Sequence, residues 1–276
     1  FNEHMDIEVW HMQCHFNAAG IITGIGGALH QIDPLGVLNK TNFDNPTFPL
    51  ESVAWSHDGR VFLTAGAASG GTVQARGNFN DDLPDAGVAV NWGITVGQIV
   101  IAIFPIDDPR TSDVRYTFLV AQTQGAVEHL KRIFRGKTFS GLWTIGGGFT
   151  AAINADWGNF IQIRSRILAF DRLNPNCVIS DNYAQSFPTN VAVGGGGPIN
   201  GSFRYGNRIY AICRDAPRVR MSRNFGNSWI TSPVQPPDAG VQLTSVVVTQ
   251  FFGDLYLLGN DGAVNRFYKY RPAMDI

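Results

Sequence analysis

Glycine and proline punctuate the whole length of this chain, and they limit what it can fold into. Among 276 residues there are 31 glycines and 14 prolines. The stretches between them are short and rich in Val, Ile, Phe, Tyr and Thr. Such runs, bounded by turn residues, are typical of strands joined by tight turns. We therefore predict an all-β protein whose strands are mostly about five to eight residues long.

Composition excludes several classes of protein. Charged residues make up 16% of the chain and hydrophobic residues 44%, a balance that disordered chains do not have. The net charge is -1 and no basic run concentrates positive charge, so we expect no nucleic-acid partner. The longest uncharged apolar stretch, residues 86–106, is interrupted by Asn91, Gly93 and Gly97. It predicts two strands and no membrane span.

The cysteines and the first residues say little about cellular location. Cys14, Cys177 and Cys213 are odd in number and lack CxxC spacing, so at least one thiol is unpaired and neither a disulfide framework nor a thiolate metal site is indicated. The segment FNEHMDIEVW has no charged region followed by an apolar core, so no intact signal peptide is expected. Because the first residue is not Met, secretion remains open.

One segment has helical rather than strand periodicity. In Ala126–Phe134 the apolar residues Val127, Leu130, Ile133 and Phe134 recur at spacings of three and four. This spacing predicts one short amphipathic helix lying on the sheet surface.

The strands come in groups that fit β-propeller blades. From Pro198 the chain is a four-stranded meander of about 40 residues, and the following stretch supplies three more strands. We predict one propeller domain over residues 1–276, with about six blades and a range of five to seven. The segment 1–20 contains a candidate closing strand, Ile7–Trp10, and Ile21–Ile25 is the alternative. Upstream, residues 50–87, 94–136 and 139–182 are the expected blades, and 160–170 is expected as one strand.

The meander contains the one motif that resembles a known family. Ser222-Arg223-Asn224-Phe225-Gly226-Asn227-Ser228-Trp229 resembles the Asp-box of sialidase-like β-propellers, Ser-x-Asp-x-Gly-x-Thr-Trp, with Asn224 in place of Asp and Ser228 in place of Thr. Short polar side chains at Ser222 and Asn224 can bond the turn backbone, Gly226 supplies positive φ, and Trp229 packs between sheets. The resemblance implies a propeller fold in which this box is structural and lies on the outer rim.

The resemblance also raises the alternative of a glycoside hydrolase. Such an enzyme needs three arginines on a carboxylate, a tyrosine activated by a glutamate, and an acidic aspartate. The chain has 17 arginines but only four glutamates, and Glu51 alone is placed to enter a propeller hub. One good box appears where such enzymes carry several. We therefore expect a protein without catalytic residues and without a cofactor.

Two clusters invite a metal interpretation. Asp81, Asp82 and Asp85 form an acidic loop of hard oxygen ligands that suits Ca²⁺ but lacks EF-hand spacing. His11, Cys14 and His15 lie close in sequence, with His4 as a fourth ligand. A strand would put Cys14 on the opposite face from the two histidines. A solvated turn and a half-exposed N-terminal segment are the simpler explanations, so no metal site is predicted, and calcium is the one metal kept as a candidate.

Four aromatic residues fall in turn-like contexts. Trp92, Trp143, Trp157 and Tyr183 are the candidates for a shallow sugar-binding site, because ring faces pack on the C–H surfaces of sugars. Packing between blades is the alternative for each of them.

The sequence as a whole predicts a recognition or structural module of a larger extracellular or virion assembly, such as a phage tail or receptor-binding component. Its expected partners are neighbouring proteins, surface glycans, or both. The ligand, the source, the oligomeric state and the native N-terminus are not fixed by the sequence.

Overall fold

The computed structural model of the chain is built from antiparallel strands. It describes residues 7–16, 22–32, 38–41, 50–55, 61–66, 73–77, 88–90, 99–124, 127–136, 144–152, 157–238, 240–248, 255–260, 262 and 264–270. Within these ranges there is no helix, and the strands form six sheets. The all-β prediction is confirmed.

Each sheet is assembled from strands that follow one another along the chain. The first contains β1 (Ile7–Phe16), β2 (Ile22–Ile32) and β3 (Leu38–Thr41); the second contains β4 (Leu50–Trp55), β5 (Val61–Gly66), β6 (Val73–Gly77) and β7 (Val88–Val90); the third contains β8 (Ile99–Pro105), β9 (Arg115–Gln124), β10 (Val127–Gly136) and β11 (Thr144–Ala152).

The fourth sheet contains β12 (Trp157–Ile163), β13 (Arg166–Asp171), β14 (Asn176–Ser180) and β15 (Thr189–Ala192); the fifth contains β16 (Gly196–Tyr205), β17 (Arg208–Asp215), β18 (Val219–Ser222) and β19 (Ile230–Thr231); the sixth contains β20 (Gln242–Val248), β21 (Leu255–Asn260) and β22 (Asn265–Tyr270).

The meander predicted from Pro198 is thus the fifth sheet, and the three strands predicted after it are the sixth. The candidate closing strand Ile7–Trp10 lies in β1, which pairs with β2. Ile22–Ile25, from the alternative segment, lies in β2.

The chain divides into two compact units. One comprises Phe1–Gly125 and Lys131–Gly146, and the other Ala126–Leu130 and Gly147–Ile276. In the first unit, Phe118, Leu119 and Val120 of β9 are fully buried. Three consecutive buried residues mean that β9 is covered on both faces.

The second unit has the larger described core. Central strands β13 and β17 are buried almost throughout, which explains their continuous apolar sequence. Trp229 packs edge-on against Phe170, with ring centroids 5.7 Å apart. Phe203 stacks on Tyr210 at 4.7 Å.

The predicted helix at Ala126–Phe134 is wrong, because residues 127–134 form most of β10. Leu130 and Ile133 are both fully buried, so this strand is also covered on two faces and its apolar residues do not need to alternate. Arg132, placed on the polar side of the helix, is buried too. Its charge is paired with Asp108 at 3.0 Å.

The upstream sheet boundaries also differ from the prediction. Residues 160–170 are not one strand, because β12 ends at Ile163 and β13 begins at Arg166. Arg164 makes the turn with φ of 56°, a conformation for which the sequence carries no Gly or Asn signal. The third and fourth sheets therefore span 99–152 and 157–192 instead of 94–136 and 139–182.

A β-bulge recurs in the first strand of five sheets. The register shifts around Glu51 in β4, Ile101 in β8, Asn159 in β12, Asn200 in β16 and Thr244 in β20. A bulge adds one residue and increases local twist. Its recurrence in the first strand of each of these sheets indicates that they are repeats of one structural pattern, even though their sequences differ.

Candidate functional site

The candidate site begins with the hairpin between β18 and β19. Ser222 Oγ accepts from Gly226 N–H (2.8 Å), and Asn224 Oδ1 accepts from Ser228 N–H (2.9 Å). The Asn224 side chain also donates to Ser228 Oγ (2.9 Å), and Trp229 Nε1 donates to the Gly226 carbonyl (3.1 Å). Side chains in this loop therefore replace the bonds that a regular hairpin turn would make.

The same bonds occur one sheet earlier, between β14 and β15. Ser180 Oγ accepts from Ala184 N–H (2.9 Å), and Asn182 Oδ1 accepts from Ser186 N–H (3.0 Å). Asn182 Nδ2 donates to Ser186 Oγ (2.9 Å), and the buried Phe187 follows. Residues 180–187 are thus a second copy of the 222–229 loop.

Sequence reasoning missed this second copy. Ala184 stands where the first loop has Gly226, and Phe187 stands where it has Trp229. The signal that would have found it is the shared pattern Ser-x-Asn-aromatic-small-amide-Ser-aromatic. We name residues 180–187 and 222–229 the first and second box loops.

Arg166 joins the two box loops through its guanidinium. Nε and Nη2 donate to the two carboxylate oxygens of Asp181 in the first loop (2.5 and 3.1 Å). Nη1 donates to the Phe225 carbonyl and to Asn227 Oδ1 in the second, both at 3.0 Å. One side chain therefore fixes both loops, using the fork geometry that suits arginine for bidentate contacts.

A groove of about 390 Å³ opens beside this junction. It is lined by both box loops and by the turns β12–β13 and β16–β17, that is by Ile163, Arg164, Ser165, Arg166, Asp181, Arg204, Asn207, Phe225 and Asn227. This volume falls within the range of about 300–1,000 Å³ that is usual for small-ligand pockets.

The groove is positively charged. Arg164, Arg166 and Arg204 line it against one carboxylate, that of Asp181. Arg204 Nε donates to the Gly206 carbonyl (2.9 Å). The Arg164 guanidinium and the terminal nitrogens of Arg204 have no hydrogen-bonding or ionic partner among the described residues, so they can donate to a ligand. The groove suits binding of an anion, because Asp181, the one acidic side chain among its described lining residues, is already paired with Arg166.

Two of the four aromatic residues predicted to bind sugar lie within the described chain. Trp157 begins β12 and is only 2% exposed, so its ring is a core element. Tyr183 lies in the first box loop with φ of 57° and is half-buried. Its N–H donates to the Ser165 carbonyl (2.9 Å). Trp92 and Trp143 lie outside the described residues.

The other predicted site residues lie largely outside the described chain. Asp81, Asp82, Asp85 and His4 are among those not described. His11, Cys14 and His15 belong to β1, and Glu51 to β4, where only the backbone is described. Glu51 occupies the bulge that Asn159 and Asn200 occupy in later sheets. The described residues contain no cluster of three metal-ligating side chains.

Buried thiols in the second unit are not candidates for nucleophiles. Burial raises the pKa of both Cys177 and Cys213 to about 12, so neither is a thiolate near neutral pH. Among the described residues, no helix is long and apolar enough to span a membrane.

No protein-family model matches the sequence, and no curated protein matches it. Solved structures do resemble it. The β-propeller domain of Myceliophteria thermophila Cps50 (Swd1) has a TM-score of 0.57 at 11% identity, covering 95% of this chain and 86% of that one. The C-terminal WD40 domain of Sif2 has a TM-score of 0.57 at 13% identity, covering 94% and 67%.

Raptor from Chaetomium thermophilum has a TM-score of 0.56 at 12% identity, covering 84% of this chain. This chain spans only 20% of Raptor's length. At such low identities the likeness concerns the fold alone. The fold is therefore that of a β-propeller, similar to WD40 domains, while the sialidase-like resemblance and the number of blades stay predictions.

Proposed function

We propose that this chain is a non-catalytic protein-interaction module that binds a partner through the groove beside the box loops. The observation that carries the proposal is the set of solvent-facing donors on Arg164 and Arg204, which have no ligand-excluding partner among the described residues, beside the exposed Phe225. Arginine and aromatic side chains are enriched where proteins bind one another. The WD40-like fold supports the same role.

The groove is built on fixed elements, which favours binding. Arg166 holds both box loops through four hydrogen bonds, so a ligand does not need to order them first. A preformed site loses less conformational entropy on binding than a mobile one.

A photo-cross-linking amino acid placed at Asn207, in the groove, tests the proposal. Leu173, which is 52% exposed in the β13–β14 turn, provides the control position. In extracts of the source cells, we expect specific protein adducts from the Asn207 position and none from Leu173. Equal adducts at both positions, or none at either, would contradict a partner site in the groove.

Glycan binding and glycoside hydrolysis are the alternative functions, and they rest on sequence features alone: the aromatic residues in turns and the resemblance at residues 222–229. A glycan array, with and without calcium, together with sialoside turnover on the same sample, checks both. Tyr183→Ala is the variant to compare for a sugar site, and Glu51→Gln for turnover. Placement on an extracellular or virion surface, including a phage tail, is likewise a proposal from composition.

A further inference from the structure

We infer that the groove takes an acidic peptide segment of a partner protein, with carboxylates on Arg164 and Arg204 and an apolar side chain on Phe225. This inference rests on the proposed function and specifies its ligand. Three features of the groove lead to it: charge, hydrogen-bonding groups and an apolar surface.

The positive charge of the groove favours a negatively charged ligand. Three arginines face one aspartate, and Asp181 already occupies Arg166 through a two-point ion pair. Arg164 and Arg204 are left as donors for added carboxylates. Arginine binds carboxylates in bidentate fashion, which favours an acidic ligand at these two side chains.

Hydrogen-bonding groups select a peptide among anions. Among the described residues, neither the Asn207 side chain nor Asn227 Nδ2 has a hydrogen-bonding partner. Asn227 uses its Oδ1 for Arg166. Side-chain amides can donate to a peptide carbonyl, and Asn207 can also accept from a peptide N–H.

The apolar surface selects against a fully charged polymer. Phe225 is 40% exposed, and its backbone is fixed by Arg166 at the carbonyl and by a φ of 57°. An exposed ring beside arginines matches a segment in which acidic residues flank one apolar residue. The net charge of -1 gives no support to tracking a phosphate backbone.

Substitution of Asp181 distinguishes ligand binding by the arginines from a purely structural role for them. Its carboxylate competes with a ligand for Arg166 and is 60% exposed. We therefore expect Asp181→Asn to strengthen binding of an acidic peptide, whereas loss of an arginine weakens it.

The probe is a fluorescent peptide of about ten residues, with several glutamates around one leucine; its matched control has glutamine at every glutamate. Binding is measured by anisotropy. We expect Arg164→Gln and Arg204→Gln each to raise Kd by about tenfold, and Asp181→Asn to lower it several-fold. Arg223→Gln, in the second box loop but outside the groove lining, is expected to leave Kd unchanged. Thermal melts check that each variant is folded.

Each result decides between named alternatives. Equal binding of the glutamine peptide would overturn the requirement for acidic residues. Stronger binding of inorganic phosphate or of a single-stranded oligonucleotide would overturn the assignment to a peptide. If no peptide binds while the cross-linker at Asn207 still captures a protein, the acidic ligand is wrong and the proposed function stands. If both experiments fail, both proposals fall.

Discussion

The side-chain amide of Asn182 makes the same hydrogen bonds as that of Asn224, one sheet further along the chain. Each accepts from a serine N–H four residues on and donates to that serine's hydroxyl. Each also accepts from the serine hydroxyl two residues before it. Two loops with different aromatic residues are therefore held by one bonding scheme.

This equivalence predicts equal energetic roles. Asn182→Ala and Asn224→Ala are each expected to lower the free energy of unfolding by about 1–3 kcal/mol, since each removes side-chain bonds that satisfy the turn backbone. Urea denaturation measures the change. Asn190→Ala, at an exposed position in β15, is the control and should change stability by less than about 0.5 kcal/mol. A large loss in only one loop would contradict the equivalence.

A second prediction concerns the small residues of the two loops. A Cβ at Gly226 would collide with Leu168 Cδ2, and φ there is 92°. We expect Gly226→Ala to cost roughly 2–4 kcal/mol, from overpacking and backbone strain together.

The reciprocal change at Ala184 provides the comparison. Ala184 already adopts φ of 62°, so replacement by Gly relieves strain while increasing the entropy of the unfolded chain. We expect Ala184→Gly to change stability by less than about 1 kcal/mol. Equal losses at both positions would show that the loops are not equivalent.

A third prediction concerns pH and the buried ion pair of the first unit. A hydrogen bond from Arg110 holds the pKa of Asp108 below its ordinary value, and the charges of Arg110 and Arg132 act in the same direction. Burial opposes them. Because the folded-state pKa is depressed, this stabilisation is present above the unfolded-state pKa of about 3.9 and is lost as pH falls through the folded-state pKa.

We expect Asp108→Ala to cost roughly 3–5 kcal/mol at neutral pH, because it leaves the Arg132 guanidinium buried without its partner. The deficit should shrink as the pH falls from about 4. Chemical denaturation across pH measures both effects. Asp113→Ala, exposed in the same turn, is the control and should follow the wild-type curve. A pH-independent deficit would mean that packing, not charge, is lost.

A fourth prediction concerns thiol reactivity. With their pKa raised to about 12 chiefly by burial, Cys177 and Cys213 should resist a thiol reagent at neutral pH until the protein unfolds. In a Cys14→Ser background, mass spectrometry should find neither residue labelled without denaturant and both labelled with it. Rapid labelling of the native protein would contradict the buried placement.

Much of the fold could be predicted from strand composition, because the strands of the fifth sheet are joined by Gly206-Asn207 and Ala216-Pro217 turns that the sequence displays. The strand at residues 127–134 could not be predicted in this way. Helical spacing and a strand buried on both faces produce the same apolar positions there. The burial of Arg132 is compensated by its ion pair with Asp108, which lies 24 residues earlier.

The candidate site was largely invisible in the sequence. Its turn at Arg164 has a positive φ without Gly or Asn. Predicting 160–170 as one strand leaves out this turn, and the groove is lined partly by the residues of the turn. The junction depends on Arg166 reaching Asp181 and Asn227. Contacts between residues so far apart in sequence leave no local pattern.

The bulged asparagines have a consequence for how the second unit is completed. Asn159 donates to the Ile199 carbonyl in the next sheet (3.1 Å), and Asn200 donates to the Leu243 carbonyl in the sheet after that (2.7 Å). Each link runs from an earlier strand to one synthesised later. A nascent chain released before Leu243 would therefore leave Asn200 without this acceptor. The sixth sheet thus stabilises the fifth, which is synthesised before it, through this hydrogen bond. Truncations that remove the sixth sheet should therefore destabilise sheets that are still present.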